Sequence, residues 1–216
     1  MRETLRVVND MRRAGVIGEY AIGGAIAASM WLEPFTTKDL DIFVELPLKS
    51  GLLSLSEIYG YLTGRGYKPR GQFIQIEGWD VEFLHPTSGL EREAIEQAAS
   101  VTVQGVRNVR IMQPEHLVAI CLQTGRTKDF QRITAFLEQK RVDLRKLRGV
   151  IGRFGLEQKW EEFLAKYPPT DNEPRNPDKE RRREHRRNLP PGSKASLLEE
   201  LRDVGESFRK ARRSLR

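Results

Sequence analysis

The chain has 216 residues, 38% of them hydrophobic, which allows one ordinary domain with a real core plus an appendage. No apolar run approaches the ~20 residues a membrane helix needs. The charged opening MRETLRVVNDMRR lacks a signal peptide's apolar stretch, and the single cysteine, Cys121, excludes an intramolecular disulfide framework, so a soluble cytoplasmic protein is expected. The formal charge of +7 is uneven: residues 167–216 hold 14 Lys/Arg against 9 Asp/Glu, a net of +5. The rest of the chain is nearly neutral, so its overall basicity says little about what its body binds.

In chain order, Leu5, Val8 and Met11 predict a first helix and Tyr20–Ile22 a short strand. A small-residue helix follows over Ala25–Leu32, and Asp39–Glu45 alternates like a strand. Ser54–Leu62 is helical and ends near Gly64. Phe73–Ile76 and Trp79–Leu84 are two strands paired around Glu77-Gly78. Glu91–Ala99 is helical, and the strands Val101–Val103 and Val109–Met112 meet at a Gly105 turn. Only helices follow: His116–Thr124, Phe130–Gln139, Asp143–Phe154 and Glu157–Lys166.

The chain therefore divides into an α+β part over residues 1–112 and a helical part over 113–166. A basic, Pro-rich linker (167–194) leads to an amphipathic helix over 195–216. In that last helix Leu197, Leu198, Leu201, Val204, Phe208, Ala211 and Leu215 form one stripe, which must be buried on the body, a second copy or a partner. Arg181–Arg183 with Arg186 and Arg187 can neutralise phosphates, but no aromatics are interleaved for base stacking.

The chemistry concentrates in Gly23-Gly24, a helix, then Asp39-Leu40-Asp41. Paired glycines at a strand end admit a ligand close to the backbone, and the next helix N-terminus offers free N–H groups to an anion. Asp39 and Asp41, two apart on a strand, point from one face, opposite Leu40, Ile42 and Val44. Such carboxylates suit hard divalent cations, and a pair of those suits in-line phosphoryl or nucleotidyl displacement. The three histidines, His85, His116 and His185, are scattered and give no zinc spacing.

Ile22-Gly23-Gly24 followed by Asp39-Leu40-Asp41 resembles the signature of the nucleotidyltransferase superfamily with a polymerase-beta-like core. Pro114–Ala119 and Arg126-Thr127-Lys128-Asp129 resemble the helical part of the abortive-infection type found in toxin–antitoxin systems. The resemblance covers about residues 15–165. It implies an α+β fold, a nucleotidyltransferase-like mixed sheet flanked by helices. It also implies Mg2+ (or Mn2+), an NTP as substrate, and transfer of its nucleoside monophosphate to a hydroxyl of tRNA, another RNA or a protein. A cognate toxin or antitoxin protein, or self-association through the C-terminal helix, would supply a partner.

The residues it points to are Asp39, Asp41 and a third carboxylate for catalysis and metal. Gly23, Gly24, Thr37, Arg126, Lys128 and Asp129 would serve the nucleotide. The third carboxylate is Glu82 or Asp80; Glu82 is favoured because Phe83-Leu84 and Pro86 follow it as the family strand ends. Asp129 would orient Arg126 or Lys128, unless Thr127 or Asp129 simply caps a helix. Thr37 would bond the nucleotide or metal site, or cap a turn. Where the abortive-infection type carries a lysine in the preceding helix, this chain has Cys121 or Gln123.

Overall fold

The computed structural model describes residues 1–33, 37, 39–46, 48–49 and 52–168. The helix expected over 195–216, and all of the linker beyond residue 168, lie outside them. Among the described residues, α1 (Arg2–Arg13), β1 (Tyr20–Ile22), α2 (Gly24–Trp31) and β2 (Asp39–Val44) come first. A small hairpin, β3 (Leu48–Lys49) and β4 (Leu52–Leu53), precedes α3 (Ser56–Thr63). Then come β5 (Lys68–Arg70), β6 (Phe73–Ile76), β7 (Trp79–Leu84), α4 (Gly89–Glu96), β8 (Ala99–Val103) and β9 (Val106–Ile111). Four helices close the series: α5 (Pro114–Thr124), α6 (Thr127–Glu138), α7 (Leu144–Arg153) and α8 (Glu157–Lys166).

Seven strands form one mixed sheet in the order β5-β6-β7-β2-β1-β9-β8. β2 lies at its centre, antiparallel to β1 and parallel to β7. Alternation fixes what each face carries. Leu40, Ile42 and Val44 of β2, with Ile74, Ile76 and Val81 of β6 and β7, are fully buried. Burying each such side chain contributes about 1.5–3 kcal/mol, and a one-residue slip of register would turn all of them outward. Leu5, Val8 and Met11 bring α1 into the same core, and the Thr4 hydroxyl donates to the Ile76 carbonyl at 3.2 Å.

The expected mixed sheet flanked by helices is what the chain forms, with two additions. β5 was not legible because Lys-Pro-Arg shows no apolar alternation; it is an exposed edge strand paired only with β6. β3 and β4 are too short to leave a periodic signal. The starts of α5 and α6 lie earlier than periodicity suggests. α5 begins at Pro114, whose missing N–H costs nothing in a first turn. α6 begins at Thr127, where the Asp129 carboxylate accepts the Arg126 backbone N–H at 3.2 Å. The helical part shares the sheet's core: Ile133, Phe136, Leu147, Ile151, Trp160 and Phe163 belong to one buried cluster with the strands.

Candidate active site

The glycine turn is held against β2. Gly23 N–H donates to the Asp41 carbonyl at 3.0 Å, and Gly23 caps α2, which begins at Gly24. Gly24 has φ +57°, and a Cβ there would stand 1.7 Å from Asp41 Oδ2. Both conformation and space therefore demand glycine. A Cβ on Gly23 would meet Phe43 Cε2 at 2.6 Å and Met112 Sδ at 3.2 Å. The two glycines let the Asp41 carboxylate and the Phe43 ring lie directly on the chain.

Asp39, Asp41 and Phe43 occupy the face of β2 opposite its buried aliphatics, Asp39 exposed and Asp41 half-buried. The parallel pairing with β7 sets Asp39 level with Asp80 and Asp41 level with Glu82. Cross-strand partners share a face, so both alternatives for the third carboxylate point the same way. They differ in their neighbours. Asp80 faces the Arg70 guanidinium at 3.6 Å, while its Oδ1 is buried without a hydrogen-bond partner among the described residues. Glu82 accepts a long hydrogen bond from Gln72 Nε2 at 3.4 Å.

The electrostatics follow from crowding. Burial pushes the Asp41 carboxyl above its ordinary range, and the charge of Asp39 pushes it further. Arg132, Lys128 and Arg126 pull it back. Glu82 is likewise raised by burial and by the charge of Asp41, against the Gln72 hydrogen bond. Among the described residues, no three His, Cys, Asp or Glu side chains gather into a ready-made metal cage.

The cations come from the junction of α5 and α6. Gly125 ends α5 in the left-handed conformation, φ +72°, which reverses the chain. Asp129, 1% exposed, accepts from Arg126 Nε at 2.7 Å and Nη2 at 3.2 Å. It also lies 3.6 Å from Arg132 Nη1. Asp129 thus does two jobs, orienting guanidinium groups and accepting an N–H at the helix start, and the second arginine it faces is Arg132 rather than Lys128. Lys128 is exposed in the first turn of α6. Thr37 Oγ1 accepts from the Asp39 N–H at 3.4 Å, which makes it a turn hydroxyl at the mouth of β2.

Arg132 escaped the sequence reading, although its spacing of three from Asp129 on a helix was the available signal. Its Nη1 lies 3.7 Å from the sulfur of Cys121. A guanidinium from α6 therefore stands beside Cys121 of α5. Gln72 and Arg70, from the edge hairpin, were missed because only the sheet register brings them near β7.

No protein-family model and no curated protein matches the chain. Among solved structures it is similar to an antigenic nucleotidyltransferase-like protein from Paracoccidioides brasiliensis, at 14% identity and a TM-score of 0.51. That alignment covers 77% of this chain and 89% of the other. The antibiotic-resistance factor ANT(2'')-Ia aligns at 15% identity and a TM-score of 0.40, over 84% of this chain and 94% of that one. At 14% identity the first likeness is one of architecture, and the architecture is nucleotidyltransferase-like.

Proposed function

We propose that this chain is a metal-dependent nucleotidyltransferase that moves a nucleoside monophosphate from an NTP to a hydroxyl of RNA or protein. The observation that carries the reading is the stacking of Asp41 on Gly24, with Glu82 level with it on the neighbouring strand. The donor set is entirely carboxylate oxygen, as a hard divalent cation prefers, and the crowding of Asp39 on a desolvated Asp41 leaves negative charge that a cation would relieve. Mg2+ is commonly held by one or two carboxylates together with substrate phosphates, so a grip by Asp39 and Asp41, with or without Glu82, suits Mg2+ or Mn2+. A cation bound there would offset the charge on the phosphate oxygens.

The chain's own groups divide the remaining work. The Gly23–Gly24 turn and the first N–H groups of α2 let a triphosphate approach the backbone closely. Arg126, Lys128 and Arg132, at the start of α6, act on Asp41 with positive charge and would do the same for a triphosphate, Arg126 and Arg132 being oriented by Asp129. The acceptor oxygen attacks the α-phosphorus, the bond to the bridging oxygen of the β-phosphate breaks, and pyrophosphate leaves. Glu82 takes the acceptor's proton, a role that its raised carboxyl pKa favours. A toxin–antitoxin or phage-defence setting is what the resemblance of 114–119 and 126–129 suggests.

Asp41→Ala should lower Mg2+-dependent transfer of label from an NTP marked at its α-phosphate by ~10³-fold or more. Unchanged transfer would refute the assignment. A second reading is a nucleotide-holding module without turnover, favoured by a glutamate in the third position and by Cys121 or Gln123 in α5 where the resembled type carries a lysine. It predicts NTP binding by calorimetry with no release of pyrophosphate.

A further inference from the structure

The face of the sheet that carries the carboxylates continues beyond β7 with other chemistry. Gln75 of β6 pairs with Asp80, and Lys68 of β5 pairs with Gln75. One row of same-face residues therefore runs Asp39, Asp80, Gln75, Lys68 from the centre of the sheet to its edge. The next row begins with Asp41 and Glu82. Continuing the β6–β7 register sets Phe73 beside Glu82, and Arg70 pairs with Phe73. Gln72, next to Phe73 in the chain, reaches Glu82 from the same side.

This second row has a particular order outward from Glu82: an aromatic ring one strand away, then a guanidinium. Strands are spaced ~4.8 Å apart, so the backbone of Phe73 lies about 5 Å from that of Glu82 and the backbone of Arg70 about 10 Å, across the sheet. Phe73 is half-buried yet takes no part in the core cluster, unlike Trp79 and Tyr67 nearby. Lys68 and Arg70 are exposed, and Arg70's pairing with Asp80 is long and 71% solvent-accessible on the arginine side, hence weak. A partly exposed ring beside two cations is what binds an unpaired nucleotide: the base stacks and the backbone phosphate meets the charges.

We propose that the acceptor is single-stranded RNA. Its terminal hydroxyl lies at Glu82, its last base stacks on Phe73, and its backbone phosphate rests on Arg70 and Lys68. This rests on the nucleotidyl-transfer reading and narrows its acceptor. A protein acceptor is less well served, because a peptide adding to the open edge of the sheet would find Pro69 at the middle of β5, with no N–H to donate.

The test uses the full chain and a mixed-sequence single-stranded RNA oligonucleotide. Ultraviolet cross-links, mapped by mass spectrometry, are expected within residues 68–75. Phe73→Ala should raise the KM for RNA about tenfold in the α-label transfer assay, with the KM for NTP unchanged. Lys68→Glu should also weaken RNA binding and flatten its salt dependence. Unchanged thermal midpoints would show that neither variant has lost its fold. Cross-links confined to residues 169–216, or an RNA affinity indifferent to both substitutions, would overturn the proposal. So would label appearing on protein hydroxyls while RNA stays unlabelled, an outcome that leaves nucleotidyl transfer standing. Absence of NTP binding by calorimetry would instead refute the enzyme, whatever the cross-links show.

Discussion

Gly24 and Asp41 share one volume of space: the carboxylate sits where a side chain on the glycine would be. Asp41 is held there at an electrostatic cost, because burial and the charge of Asp39 both disfavour its ionised form. Its carboxyl pKa is raised in the folded state, so between the ordinary value and the raised one the native protein binds more protons than the unfolded chain. Stability then falls as pH rises through that window, and the penalty is fully present at neutral pH. Asp41→Asn is accordingly expected to raise the thermal midpoint at pH 7 without divalent cation. The gain should vanish below the usual aspartate range, near pH ~3.9. Added Mg2+ should raise the wild-type midpoint and leave that of the variant unmoved. Calorimetric melts across pH, with and without Mg2+, check all three.

At the scale of elements, the turn between α5 and α6 converts a break in the chain into an array of cations. Gly125 supplies the left-handed residue, and Asp129 ties Arg126 and Arg132 to the first turn of α6. Replacing Asp129 with Asn leaves the half-buried Arg132 without its carboxylate and weakens the helix start. A destabilisation of roughly 2 kcal/mol follows, below the full cost of a broken buried pair because Arg126 is largely exposed. Under the proposed role of the arginines in phosphate binding, the same substitution should raise the KM for NTP more than it lowers kcat. Denaturant melts and steady-state kinetics together check this. A fall in kcat with KM unchanged would place Asp129 elsewhere in the mechanism. Gly125-Arg126-Thr127-Lys128-Asp129 was legible as a unit in the sequence, yet the geometry that pairs Asp129 with Arg132 needed the helix to be built.

For the whole molecule, the described body closes on an aromatic cluster in which Tyr167 stacks near Phe130 and Phe163, with ring centroids 5.6 and 5.3 Å apart. Where the body should be cut follows from that contact. Truncation after Pro168 should preserve NTP affinity and the thermal midpoint. Truncation after Lys166 removes the Tyr167 ring and should lower stability by about 1 kcal/mol. Loss of NTP binding on the first truncation would show that the basic segment belongs to the nucleotide site.

Sequence alone determined what is local. Periodicity placed most helices and strands, and the glycine pair with Asp39-Leu40-Asp41 marked the centre of the sheet, because alternation along one strand decides which side chains share a face. Only the tertiary structure decided what meets across strands. Alternation alone could not say what Asp80 and Glu82 stand beside, and the β2–β7 register sets one beside Asp39 and the other beside Asp41. Phe73, Arg70 and Lys68 carried no motif, because their proximity to the carboxylates comes from strand order and register. Those depend on contacts between segments far apart in the chain, and no local pattern encodes them.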